Sequence, residues 1–158
     1  MNIYLIRHGE AEPVSRQVSD YDRQLTEDGK AVLYKAVEGW KKLISQFDHI
    51  VSSPLVRAME TAEILKEGFN FKPDIIFDHS IVSGDPRTIV ELANALKGAN
   101  IAFVGHEPSF SHYTSELVSA PGANINFKKG MIVKISFEGK ARLGAGYLDF
   151  MIPARTFK

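Results

Sequence analysis

The stretch Met1–Pro13, MNIYLIRHGEAEP, decides the fold. Ile3 to Ile6 is a run of β-branched or bulky apolar residues without polar alternation, the pattern of a short strand covered on both faces. Arg7 and His8 stand at its end, and Gly9 breaks it. Two readings are open at this point. In parallel α/β sheets the carboxyl ends of strands frame the crevice where ligands bind, so a cationic pair placed there suits an anion. A solvated turn with both charges directed outward accounts for the same residues.

Composition narrows the choice. A chain of 158 residues, 44% of them hydrophobic, can bury one core, and a single domain over residues 1–158 is expected. The 19 basic and 19 acidic residues cancel without forming blocks of like charge, so no general attraction to nucleic acid or an anionic membrane is expected. Any anion site must be local. The absence of cysteine excludes a disulfide framework, thiolate zinc sites and cysteine nucleophiles. With the first strand starting at the second residue there is no room for a signal peptide, and no apolar run is long enough to span a bilayer; the expected location is cytoplasmic.

Beyond Gly9 the apolar period switches repeatedly. Glu12 to Gln24 is polar and reads as an exposed loop. Leu25 to Ile44 places Val32, Leu33, Ala36, Val37, Trp40, Leu43 and Ile44 at helical spacing, with Thr26 as N-cap and Glu27 and Asp28 in the first turn. His49 to Pro54 reads as a strand, Leu55 to Gly68 as a helix ended by its glycine, and Asp74 to Phe77 as a third strand. Asp85 and Pro86 suit the N-cap and first position of a helix that Gly98 follows. Ile101 to Pro108, IAFVGHEP, repeats the opening pattern of apolar strand, glycine and histidine, and a helix over Ser109 to Val118 comes next. Gly130 to Phe137 and Gly144 to Met151 look like two strands joined as a hairpin across Glu138 to Leu143. The predicted fold class is α/β: a three-layer α/β/α sandwich with a mostly parallel six-stranded sheet and no large helical insertion.

Three strand ends carry similar chemistry: Arg7 and His8 after the first, Arg57 just after the second and His106 after the fourth. Parallel strands deliver these groups to one edge, where they suit a phosphoryl group. Arginine presents a planar fork to phosphate oxygens, and a histidine can attack phosphorus or donate to an oxygen. His49, His79 and His112 read as surface or capping residues. In HEPSFSH (106–112) the second histidine is not four residues after the first and Pro108 interrupts the turn, so the segment is not a zinc-protease helix.

Four blocks in register, LIRHGEAEP, LTEDG, VSSPLVRAMETAEIL and FVGHEPSF, resemble the signatures of the histidine phosphatase superfamily, the phosphoglycerate mutase-like fold, over Met1 to about Phe110. Small size, the segment DYDRQLTEDG and the short connections make the chain most similar to the SixA-type phosphohistidine phosphatases. The resemblance implies that His8 is the nucleophile, that Arg7, Arg57 and His106 clamp the phosphate, and that the backbone beside Gly9 fixes the His8 tautomer. It implies a covalent phosphohistidine intermediate cleaved by water, with no metal or organic cofactor.

The carboxylic acid that many relatives place after the third strand is missing or displaced here, since its slot falls near Ile81 and Ser83. Asp78, Asp85, Glu10 and Glu107 are the candidate acids, and Asp85 is better explained as a cap. A missing acid matters less for phosphohistidine than for an alkyl phosphate, because a protonated imidazole leaves easily and an alkoxide does not. The segment FDHSIVSGDP is too short for a lid, so a shallow pocket is expected. Gly9, Glu10, Ser83 and Glu107 are candidate substrate contacts, together with Arg16 and Arg23 on the rim; pairing of the two arginines to Asp20 and Asp22 is the alternative. The expected substrate is a phosphorylated protein, with a histidine-containing phosphotransfer domain of a signalling relay as the family analogy. A broad phosphomonoesterase acting on small phosphate esters and a non-catalytic phosphate-binding module are the alternatives.

Overall fold

The computed structural model describes residues 1–157. Its strands are β1 (Asn2–Arg7), β2 (His49–Ser52), β3 (Ile76–Phe77), β4 (Asn100–Gly105), β5 (Ile132–Ser136) and β6 (Tyr147–Ile152), and they form one sheet in the order β3-β2-β4-β1-β5-β6. The first four run parallel, β5 runs antiparallel to β1, and β6 returns antiparallel to β5 as the expected hairpin. Helices α1 (Glu27–Trp40), α2 (Val56–Gly68), α3 (Pro86–Leu96) and α4 (Ser109–Leu117) complete the predicted three layers.

The unbroken apolar run of β1 follows from its central place between β4 and β5. Tyr4 and Ile6 join Leu33, Trp40 and Ala58 in a core with α1 and α2, while Ile3 and Leu5 join Ile89, Phe110 and Tyr113 in a core with α3 and α4. Register then aligns the strand ends. Ile6 and Ser52 both pair with Val104, and Arg7 pairs with Gly105, so the residues that follow these strands emerge side by side.

Several boundaries differ from expectation. Helix α1 stops at Trp40, because a turn at Lys41 to Leu43 leaves Leu43 exposed and carries Ile44 back into the core. Strand β3 keeps two residues, paired with Val51 and Ser52. The residue that ends α3 in the left-handed conformation is Lys97, at φ 55°, one position before Gly98. The caps are as the sequence predicts: Thr26 accepts from the Gly29 N–H at 3.0 Å and Asp85 from the Arg87 N–H at 2.9 Å.

Gly29 fixes the loop that leaves β1. A Cβ at this position would lie 2.3 Å from the Glu10 carbonyl oxygen, two residues past His8, so α1 can approach that loop only without a side chain here. Gly29→Ala improves helix propensity by about 1 kcal/mol. The backbone clash outweighs it, and a net loss of roughly 1–3 kcal/mol is expected in urea denaturation. An unchanged or raised midpoint would contradict this role.

Candidate active site

His8 and His106 each follow their strand by one residue, on the face already carrying Ile6 and Val104. Their rings meet with centroids 5.2 Å apart, and both side chains are buried. The His8 N–H donates to the Gly105 carbonyl at 3.0 Å, which continues the β1–β4 ladder one residue past the strand. On the other side Gly130, at φ 70°, donates its N–H to the Arg7 and His8 carbonyls at 3.1 and 3.0 Å. Arg7 belongs to the opposite face of β1, and its Nη1 donates to the Phe127 carbonyl at 2.7 Å.

Each ring is oriented by a hydrogen bond. His8 Nδ1 lies 2.8 Å from the carbonyl oxygen of Gly9, an acceptor, so the proton sits on Nδ1 and Nε2 carries the lone pair. Arg57, in the first turn of α2, directs its Nε to His8 Nε2 at 3.2 Å. Its Nη1 donates to the Asp20 carbonyl at 2.6 Å and its Nη2 to the Asp20 carboxylate at 3.3 Å. Thr61, one turn on, joins α2 to the β1 loop by accepting from the Gly9 N–H and donating to the Arg57 carbonyl. Ser53 Oγ lies 2.7 Å from His106 Nε2. With Ser53 donating there, His106 carries its proton on Nδ1. That Nδ1 and Arg7 Nε are buried without a hydrogen-bond partner among the described residues.

A cleft of about 520 Å³ opens beside these groups, lined by Arg57 and His106 and by Leu55, Val82, Ser83 and His112; the buried His8 and the half-buried Arg7 lie outside its lining. Glu107 also lines it, but its carboxylate accepts from the Ser111 N–H and hydroxyl at 2.7 and 2.8 Å. Glu10 pairs with Lys129 at 2.6 Å. Arg23 is held by Asp20 at 2.8 Å and by the Glu12 carbonyl, and Arg16 is an exposed loop residue outside the cleft lining. Asp78 caps the short 3-10 helix at His79–Ile81, and Asp85 pairs with Arg87. Ser53, Thr61 and the Phe127 carbonyl escaped the sequence reading, as did the contact of Asp20 with Arg57; the alternative pairing of Arg23 with Asp20 is found. Ser53 was open to the same strand-end argument as His8, whereas Asp20 and Phe127 arrive from loops whose paths leave no local signal.

Burial pushes the His8 imidazole down to about 3; the Gly9 carbonyl opposes this, and His106, Arg57 and Arg7 reinforce it. Burial and then the Arg57 cation bring His106 to about 4. Both rings are therefore neutral at pH 7. Both folded values lie below the ordinary histidine value, so the stability they contribute is complete above about pH 6.5 and is lost as pH falls toward the folded values. Urea denaturation should show the unfolding free energy falling by up to about 1.4 kcal/mol per pH unit for each ring between pH 6.5 and 5. The His8→Asn/His106→Asn double variant should lose most of that slope. An unchanged slope in that variant would place the acid sensitivity elsewhere.

Comparison with known proteins agrees with this geometry. The sequence profile of the histidine phosphatase superfamily (branch 1) matches residues 3–80. The chain is 27% identical to a phosphohistidine phosphatase SixA homolog from Haemophilus influenzae, over 88% of this chain and 90% of that protein. Its fold matches that of the protein histidine phosphatase SixA complexed with tungstate, with a TM-score of 0.86, 21% identity and 99% of each chain covered. A phosphoserine phosphatase from Entamoeba histolytica in complex with 3-phosphoglyceric acid matches with a TM-score of 0.71 and 15% identity, over 96% of each chain. Profile, fold and paired strand-end histidines agree in making the chain similar to the histidine phosphatase superfamily, whose profile covers residues 3–80.

Proposed function

We propose that this chain hydrolyses phosphohistidine on a protein, with His8 as the nucleophile and Arg7, Arg57 and His106 as the phosphate clamp. The observation that carries the reading is the His8 ring, neutral and held through Nδ1 on the Gly9 carbonyl so that Nε2 is the reacting atom. Its lone pair attacks phosphorus as the bond from phosphorus to the leaving imidazole breaks, and that ring, already protonated on its far nitrogen, departs as neutral imidazole. The charge that forms on His8 is stabilised by the same Gly9 carbonyl. Water then attacks phosphorus, the bond to Nε2 breaks, and inorganic phosphate leaves with His8 regenerated.

The unpartnered Arg7 Nε and His106 Nδ1 suit two phosphoryl oxygens, and the remaining Arg57 donors suit a third. Burial lowers both guanidiniums somewhat from their ordinary value, yet arginine remains cationic at neutral pH, so the clamp carries its own positive charge. His106 is neutral before the anion arrives. A phosphoryl dianion beside it favours the protonated ring, which then donates as charge develops.

The leaving group is indicated by the carboxylates. Asp20 is bound by two arginines, Glu107 by Ser111 and Asp85 by Arg87, so among the described residues lining or edging the cleft no carboxyl stands ready to protonate an alkoxide. An imidazole leaves without such help. The connection from β3 to α3, Asp78 to Asp85, has eight residues and is too short to form a lid over the cleft. Both features favour a phosphorylated side chain on a folded protein, such as the phosphotransfer domain of a signalling relay.

The purified chain should turn over a phosphohistidine-bearing phosphotransfer domain at least about a hundred-fold faster, in kcat/KM, than phosphoserine or a sugar phosphate, a ratio of the size attributed to general acid catalysis. EDTA should leave the rate unchanged. Faster turnover of an alkyl phosphate would overturn the substrate assignment, and metal-dependent activity would overturn the clamp.

A further inference from the structure

The loop before α1 reaches into the clamp at one residue. Asp20 lines the cleft, and its carboxylate lies between two arginines, 3.3 Å from Arg57 Nη2 and 2.8 Å from Arg23 Nη2. Its backbone carbonyl takes Arg57 Nη1 at 2.6 Å, while Arg57 Nε is directed to the His8 lone pair. Each nitrogen of the Arg57 guanidinium is therefore already engaged, two of them by Asp20. Of the five N–H donors of an arginine, two are left over, one on each terminal nitrogen.

A planar carboxylate bridging two guanidiniums has the charge and the oxygen spacing that a phosphoryl group would present to them. When the phosphoryl arrives, it meets a negative side chain on the donors it needs. The two anions compete for one cationic surface, and their mutual repulsion weakens whichever is held less well. Asp20 has the advantage of attachment to the chain. The phosphoryl has the larger charge, and it also receives Arg7 and His106, which Asp20 does not touch.

We propose that Asp20 is an internal competitor for the phosphate clamp, yielding Arg57 to the incoming phosphoryl group and returning to it when inorganic phosphate leaves. The proposal rests on the clamp assigned above, and it gives the acidic residue a role separate from proton transfer. Both arginines hold the Asp20 carboxyl ionised: burial raises it, and the Arg57 and Arg23 charges and hydrogen bonds more than reverse that. It thus acts as a fixed charge at neutral pH. By weakening the hold on the product it speeds release, and a phosphatase with an unopposed double-arginine clamp would be inhibited by the phosphate it makes.

Equilibrium binding of inorganic phosphate, measured by calorimetry on the full chain, tests this without any need for turnover. Asp20→Asn should bind phosphate about ten-fold more tightly at low ionic strength, with the gain shrinking as salt rises. Asp20→Ala keeps the backbone carbonyl that Arg57 uses and should show the same direction. Asp22→Asn is the control. It removes one negative charge from the same loop, but Asp22 is bonded by Ser19 and not by Arg57, so affinity should change less than two-fold. Weaker or unchanged binding in both Asp20 variants, with an unaltered circular dichroism spectrum, would make Asp20 a positioning residue and overturn the proposal. An equal gain in Asp22→Asn would overturn it too, by assigning the effect to the general field of the loop. If the wild type binds phosphate as described but hydrolyses no phosphorylated substrate, the phosphatase assignment fails and the competition stands.

Discussion

Everything at the site depends on the parallel pairing of β1 with β4. Arg7 opposite Gly105 sets one row, and the bond from the His8 N–H to the Gly105 carbonyl carries the ladder one residue past the strand. The period of two in a strand then places His8 and His106 on one face and Arg7 on the other. A slip of one residue in β1 would send His8 toward α3 and α4, away from His106 and from Arg57 Nε. That register is enforced by burial, since Ile3 through Ile6 and Ile101 through Val104 are all enclosed between helices.

Burial has a second consequence. The hydrophobic layers that fix the register also remove water from the two imidazoles, and in a site with two guanidiniums a further positive charge is expensive. The rings respond by staying neutral, which for His8 is the nucleophilic form. Stability and reactivity are coupled here through the same desolvation. The Gly9 carbonyl resolves the remaining ambiguity, because it accepts a hydrogen bond from Nδ1 and so leaves the lone pair on Nε2.

Features governed by short-range chemistry were legible in the sequence. The apolar run of β1, the Thr26 and Asp85 caps, the hairpin between β5 and β6 and the gathering of His8, Arg57 and His106 at one sheet edge each follow from a local pattern plus one rule of topology. What was not legible depends on chain paths through space. Asp20 lies 37 residues from Arg57, and no periodicity in the polar loop distinguishes it from Asp22. Arg23 and Glu107 read as pocket contacts because their types suit an anion site, yet one is held by Asp20 and the other by Ser111. Gly68 reads as the end of its helix and is the last residue of α2; what the sequence did not show is that a Cβ there would meet Val37. His112 reads as a surface residue and is one, although the surface it occupies is the outer wall of the cleft.

The central claim is that Nε2 of His8 forms a bond to phosphorus. Rapid quench with a 32P-labelled phosphohistidine substrate should trap a phosphoenzyme that is labile in acid and stable in base, with the label on the peptide containing His8 and no trapped species in His8→Ala. A phosphoenzyme of the same amount in His8→Ala, or a label stable in acid on another residue, would contradict the account.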